Sequence, residues 1–171
     1  MSGEVEAVSP GVTQVKVGDR VFGRAISAGY AEKTCLLAQE AIPLPSSLSF
    51  AEGAAIPIPF YTAYYALHHK AGVQAGETVL ISAGGGGVGV AAIQLAKAAG
   101  ARVITTVGSQ EKVERTRELG AEVALNYKQQ DFAAEVLKLT EGKGVDVIIE
   151  NVAQITWLPT AQPLPSPAAL S

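Results

Sequence analysis

One cysteine, one tryptophan and two histidines stand among the 171 residues. The lone thiol, Cys35, excludes a disulfide framework within the chain and an all-cysteine structural zinc site, so a reducing compartment and a cytoplasmic location are the expectation. Positive charge is also scarce: 13 Lys and Arg against 16 Asp and Glu leave a net charge of -3. Such a chain has no basic field to gather nucleic acid or anionic membranes, and neither is expected as a partner. No apolar run approaches the roughly 20 residues that span a bilayer. The opening Met1-Ser2-Gly3-Glu4-Val5-Glu6 lacks the basic and apolar regions of a secretory signal.

What the chain does have is apolar content, 48% of its residues, enough for one sizeable core or for one domain and part of another. The first zone reads as short strands and turns. Residues 13–17 alternate, with Thr13, Val15 and Val17 on one face, before the turn chemistry of Gly18-Asp19. A second strand pair is expected between Ala28 and Pro45, and the whole is too small a β-rich piece to close on itself. Next comes a helix with Ser49 as N-cap and Glu52 as its capping-box partner. It must break at Pro57 and Pro59, where no amide donor is available.

From Thr78 the pattern changes to strands at 78–83, 102–107, 122–126 and 145–149, alternating with helices at 87–99, 110–119 and 131–140. Near-continuous apolar strands between amphipathic helices predict an α/β fold with a parallel sheet covered on both faces. The last zone carries Pro159, Pro163, Pro165 and Pro167 too closely spaced for a helix or a central strand.

The strongest chemical signal is Ser82-Ala83-Gly84-Gly85-Gly86-Gly87-Val88-Gly89, between the first parallel strand and its helix. Gly84, Gly86 and Gly89 fit G-x-G-x-x-G, a weak match alone and a strong one with a strand before it and a helix after it. Gly84 allows the tight turn, Gly86 lets backbone amides approach a pyrophosphate, and Gly89 lets helix and strand pack closely. The helix N-terminus adds free N–H groups and partial positive charge. A site for NAD usually has an Asp or Glu at the tip of the second strand, for the ribose 2′-hydroxyl. Here the tip reads Thr105-Thr106-Val107-Gly108-Ser109-Gln110, without an acid, and Ser109 and Lys112 are placed to take a 2′-phosphate. NADPH is therefore the expected cofactor; taken alone, Lys112 reads equally well as a solvated helix charge.

The runs KVGDRVFG (16–23), AGYAEK (28–33), AAIPIPFYTAYYAL (54–67), AGETVLISAGGGGVGVAAIQLAKAAGARVITTVGSQEK (75–112) and LGAEVALNYKQQDF (119–132) together resemble the zinc-independent, ζ-crystallin-type quinone oxidoreductases of the medium-chain dehydrogenase/reductase superfamily. The resemblance covers residues 2–151. It implies a Rossmann-type sheet of about four strands, incomplete, preceded by a remnant of a GroES-like β domain. The boundaries it suggests are 1–56 for the partial substrate domain, 57–151 for the partial NADPH-binding domain and 152–171 for a non-family tail.

The activity implied is NADPH-dependent hydride transfer to a quinone or an α,β-unsaturated carbonyl, in a family usually homo-oligomeric. By the same resemblance Thr62 and Tyr64 sit beside the nicotinamide, Gly87 and Val88 by the phosphates, and Gly108, Lys112 and Tyr127 at the adenosine 2′-phosphate. Zinc-dependent relatives carry a cysteine where this chain has Ile58, so no metal is expected. His68 and His69 point about 100° apart on a helix and are expected as surface or packing residues, and Cys35 as a small strand residue.

Two alternatives stand beside this activity: an inactive fragment that keeps only partial dinucleotide binding, and an enoyl reductase of the same superfamily. A non-catalytic, crystallin-like or RNA-binding role known among relatives draws no support from the acidic composition. The resemblance also leads us to expect a chain truncated at both ends. Met1 stands where an internal strand of the family would be, and the tail matches no family segment. Codons for the residues from Ala153, read from the third base, permit Ala-Asn-Tyr-Leu-Ala, which resembles the expected helix start, so a frameshift is one reading of the tail; an alternative exon or a genuine tail are the others.

Overall fold

The computed structural model describes residues 1–152, and the proline-rich stretch with the frameshift reading attached to it lies outside the described residues. The chain divides into two compact units, Met1–Tyr61 and a second running from Thr62.

In the first unit, strands β1 (Ser2–Glu4), β2 (Arg20–Phe22) and β3 (Ile42–Pro43) form an antiparallel sheet in the order β1-β2-β3. The strand expected at residues 13–17 does not form. The Lys16 N–H instead donates to the Asp19 carboxylate at 2.9 Å, closing a turn through Gly18 at φ +88°, and Val17 is left exposed. Alternation there has no partner strand to reward it, and a local side-chain acceptor wins the backbone. Of the second expected strand pair only β3 is present, and Cys35 is an exposed residue of irregular backbone rather than a strand residue. The Arg20 guanidinium donates to the Leu48 carbonyl at 2.6 Å and lies 4.7 Å from the centroid of the Phe50 ring.

Helix α1 (Phe50–Ala55) begins at the expected capping box: the Glu52 N–H donates to Ser49 Oγ at 3.2 Å, and the Ser49 N–H donates to the Glu52 carboxylate at 2.8 Å. It stops before Pro57, and α2 (Pro57–Tyr64) starts on that proline, where a missing amide leaves no bond unmade. From Tyr65 to Lys70 the helix widens to π geometry, with the Ala71 N–H reaching the Ala66 carbonyl at 2.9 Å. Leu67 of this turn is fully buried, whereas Tyr64 and Tyr65 are half exposed.

The second unit alternates β4 (Thr78–Ile81), α3 (Gly87–Ala98), β5 (Arg102–Val107), α4 (Gln110–Leu119), β6 (Val123–Asn126), α5 (Phe132–Leu139) and β7 (Val147–Ile149). All pairings are parallel and the order is β6-β5-β4-β7. Strand periodicity divides the apolar residues between two faces. Leu80, Ile104 and Leu125 pack with Val136 of α5 on one face, while Val107 and Ala124 meet Val113 of α4 on the other. Right-handed crossovers require this division: β4 to β5 to β6 steps outward in one direction, and the return to β7 passes over the opposite face. The result is a Rossmann-type α/β sheet with β5 and β4 as its inner strands.

Burial and strand ends tie the rows together. Thr105, fully buried on β5, donates its hydroxyl to the Ile81 carbonyl at 2.7 Å, and Arg102 at the other end of β5 donates to Glu122 at 2.8 Å and to the Leu139 carbonyl at 3.1 Å. No helix among the described residues is long and apolar enough to cross a membrane.

The capping box of α1 has a pH signature. The Glu52 carboxyl is held below its ordinary range, first by the Ser49 backbone N–H and then by the Ser49 hydroxyl. Its contribution is therefore complete above the unfolded-state value, near ~4.3, and is lost as pH falls through the lower folded-state value. Glu52→Gln should lower the melting temperature at neutral pH and shrink the further loss seen below about pH 4.3, as followed by circular dichroism across a pH series.

Candidate functional site

In an open parallel sheet the crevice that can hold a ligand opens at the carboxyl ends of the strands, where the order reverses. Here that point lies between β4 and β7, which leave Ser82 and Glu150 side by side. The Ser82 hydroxyl donates to Glu150 Oε1 at 2.8 Å and accepts from the Asn151 N–H at 2.7 Å. Asn151 Nδ2 also donates to the Ser82 carbonyl at 3.0 Å, and the Val152 N–H donates to Glu150 Oε1 at 2.6 Å. This clasp was not foreseen from the sequence. Its signal was there in the polar pair Glu150-Asn151 closing the apolar run of β7, but nothing in the linear order says that β7 ends beside Ser82.

Above the clasp the chain turns sharply. Ala83 holds φ +49°, a left-handed conformation that costs a residue with a Cβ about 1 kcal/mol or more. The Gly84 N–H then donates to the Thr106 carbonyl at 3.0 Å and the Gly86 N–H to the Ala83 carbonyl at 2.9 Å. A Cβ on Gly84 would collide with Thr105 Oγ1 and stand 3.1 Å from the Ile93 methyl. A Cβ on Gly89 would run into the Ala83 carbonyl oxygen and lie 2.6 Å from Gly84 Cα. Both glycines are thus required by backbone and core packed against them.

Gly86, exposed at the N-cap of α3, offers no side-chain cap, and the first intrahelical bond is that of the Val90 N–H to the Gly86 carbonyl at 2.8 Å. The amides of Gly87, Val88 and Gly89 precede that bond and face the positive end of the helix dipole.

The remaining predicted residues gather along the same edge of the sheet. Gly108 ends β5, and Ser109 is the N-cap of α4, its Oγ accepting from the Lys112 N–H at 3.4 Å while its own O–H stays free to donate outward. The Lys112 stem lies across Gly85, whose added Cβ would stand 2.9 Å from Lys112 Cδ. The Tyr127 ring, half exposed beyond β6, lies against Gly108, where a Cβ would come 2.6 Å from the phenol oxygen.

Thr62 and Tyr64 lie on exposed positions of α2, and the Tyr64 ring contacts His68 at 4.5 Å and His69 at 5.7 Å between centroids. Among the described residues no group of three or more His, Cys, Asp or Glu side chains is set to hold a metal ion.

The two glycine positions separate packing from access. Gly89→Ala should destabilise the chain by about 1–3 kcal/mol, because only backbone can move aside. Gly86→Ala meets nothing nearer than 3.3 Å and should cost less than about 1 kcal/mol. Urea denaturation of the two variants measures both.

Comparison with known proteins agrees with this geometry. The family model described as Zinc-binding dehydrogenase matches residues 87–163. A quinone oxidoreductase of Pongo abelii is 42% identical over 156 residues, which are 91% of this chain and 47% of that protein. The quinone oxidoreductase of Pseudomonas syringae pv. Tomato DC3000 superposes with a TM-score of 0.80 at 41% identity, over 93% of this chain and 49% of that one. The Escherichia coli quinone oxidoreductase solved in complex with NADPH gives a TM-score of 0.81 at 34% identity, over 93% and 49%. The chain spans about half the length of the curated relatives it matches. Sheet order, glycine turn and sequence agree in making this chain similar, over about half of their length, to the quinone oxidoreductases of the medium-chain dehydrogenase/reductase superfamily.

Proposed function

We propose that this chain supplies the NADPH-binding part of a zinc-independent reductase that acts on quinones or α,β-unsaturated carbonyls in the cytoplasm, as a homo-oligomer. The observation that carries the proposal is the glycine turn at the switch point: a cradle in which Gly86 leaves room, three amides of α3 precede its first intrahelical bond, and no acid stands at the tip of β5. Those amides suit a pyrophosphate, and the helix dipole favours its charge. The Ser109 hydroxyl and the Lys112 ammonium suit a 2′-phosphate, with Tyr127 packed over Gly108 as the side wall. An NAD-type carboxylate at that strand tip would repel a 2′-phosphate, and this chain has none there.

In this proposal NADPH, when bound, supplies the hydride, and the protein binds and orients. Thr62 and Tyr64 are the residues assigned to the nicotinamide end, and residues 1–56 are assigned to the substrate domain. The clasp of Ser82, Glu150 and Asn151 keeps the ends of β4 and β7 together, so that the floor of the crevice is held in place beneath the turn. The family likeness to quinone oxidoreductases supports this activity over dinucleotide binding alone.

The test titrates the chain with NADPH by nucleotide fluorescence, then follows loss of reduced nicotinamide absorbance with a naphthoquinone and, separately, with an enoyl thioester. Saturable binding and quinone-dependent oxidation are expected, with Gly86→Val folding normally and binding NADPH at least about 10-fold more weakly. Binding without turnover would restrict the chain to the cofactor half of the activity, and turnover of the enoyl thioester alone would make it an enoyl reductase. Absence of NADPH binding by the folded chain would remove the proposal.

A further inference from the structure

The strand tip that lacks an acid is flanked by a cation on each side. Strand β5 runs between β4 and β6, and Gly108 lies at its end. On the β4 side, Lys112 reaches from α4 across Gly85. On the β6 side, Lys128 reaches back toward Gly108, whose added Cβ would stand 3.5 Å from Lys128 Cε. The direction in which Lys128 leaves the chain is set by a buried group: Asn126, 5% exposed at the end of β6, accepts the Lys128 N–H on its Oδ1 at 3.1 Å. The Tyr127 N–H in turn donates to the Val107 carbonyl at 3.1 Å, so the segment is tied to β5 one residue before Gly108.

Among the described residues, Lys112 and Lys128, like Arg20, Lys70, Lys97, Arg117, Lys138 and Lys143, form no ion pair, so neither ammonium is committed to a carboxylate. The carboxylate nearest the tip in sequence, Glu111, is on an exposed position of α4.

We infer that Lys128 is a second specificity-determining residue of the dinucleotide site, acting with Lys112 as one of two cations that bracket the adenosine 2′-phosphate. The inference rests on the NADPH reading above and adds to it a residue on the far side of Gly108. A phosphate monoester carries nearly two negative charges at neutral pH, and a single ammonium leaves much of that charge uncompensated. Lysine suits the task because its head is a compact point charge on a flexible stem that can settle on whichever oxygen faces it. The polypeptide invests in Lys128 placement through Asn126, a buried side chain whose acceptor is used on that residue's backbone and so fixes where the stem begins. Ligands without the 2′-phosphate have nothing for Lys128 to meet, so it acts on the choice between the two dinucleotides and leaves the shared part of the site alone.

The experiment uses the full chain and two small probes, adenosine 2′,5′-bisphosphate and adenosine 5′-monophosphate, titrated by calorimetry at low and moderate salt. The unmodified chain should bind the bisphosphate at least about 10-fold more tightly. Lys128→Gln should remove most of that ratio, leave the monophosphate affinity unchanged and weaken the salt dependence of bisphosphate binding. Lys128→Arg should restore the ratio. Because Lys128 is exposed, circular dichroism of the variants should match that of the unmodified chain.

A ratio that survives Lys128→Gln but collapses in Lys112→Gln would overturn the role of Lys128 while leaving the NADPH reading intact. Equal weakening of both probes would reduce Lys128 to a structural residue and overturn the inference. If the unmodified chain shows no preference for the bisphosphate, the NADPH reading fails, and this inference fails with it.

Discussion

Strand β4 is hydrogen-bonded on both sides, with Ile81 paired to Thr105 of β5 and to Ile149 of β7, and the geometry of the site hangs from its carboxyl end. Past Ile81 the chain must leave the sheet, clear β5 and enter α3 within a few residues. The Thr105 hydroxyl, itself bonded to the Ile81 carbonyl, stands beneath Gly84, and the Ala83 carbonyl stands against Gly89, where the approach is backbone to backbone and no rotamer change can widen it. The left-handed Ala83 is held there by the same contacts. The inner side of the turn is crowded, while Gly86 and Gly87 at the start of α3 are exposed.

Charge is distributed to match. The chain as a whole is acidic, at -3, yet its glycine turn offers the positive end of α3, and its strand tips offer lysines that, among the described residues, pair with no carboxylate. An anion responds to the local field, which decays over roughly a Debye length of about 8 Å at physiological salt, and net charge far away is largely screened. The Glu150 carboxylate at the crevice accepts from the Ser82 hydroxyl and the Val152 N–H, which ties it to the joining of β4 to β7.

The second unit was legible in the sequence and the β-rich part of the first largely was not, for a reason visible in particular residues. Strand β5 and helix α4 have the bounds read from the sequence, because apolar runs there are cut by Gly100, Gly108 and Gly120, and each run is long enough to show its period. The capping box of Ser49 and Glu52 is likewise a local rule satisfied locally. In the first unit the strands are two or three residues long, and the alternating stretch 13–17 lost its backbone to a turn closed by Asp19. The π geometry from Tyr65 to Lys70 had no sequence signal at all; within it Leu67 is buried, while Tyr64 and Tyr65 remain half exposed.

Sequence by itself determined that this chain makes a parallel sheet with a glycine turn after its first strand, since hydrophobic period and glycine spacing are properties of neighbouring residues. It also determined that no acid stands at the tip of β5. What only the tertiary structure decided is which residues share that edge: Lys112 over Gly85, Tyr127 and Lys128 against Gly108, and Ser82 beside Glu150, a residue 68 positions away in the chain. Those neighbours are set by the order β6-β5-β4-β7, which arises because right-handed crossovers must cover both faces of one twisted sheet, and no local pattern encodes that requirement.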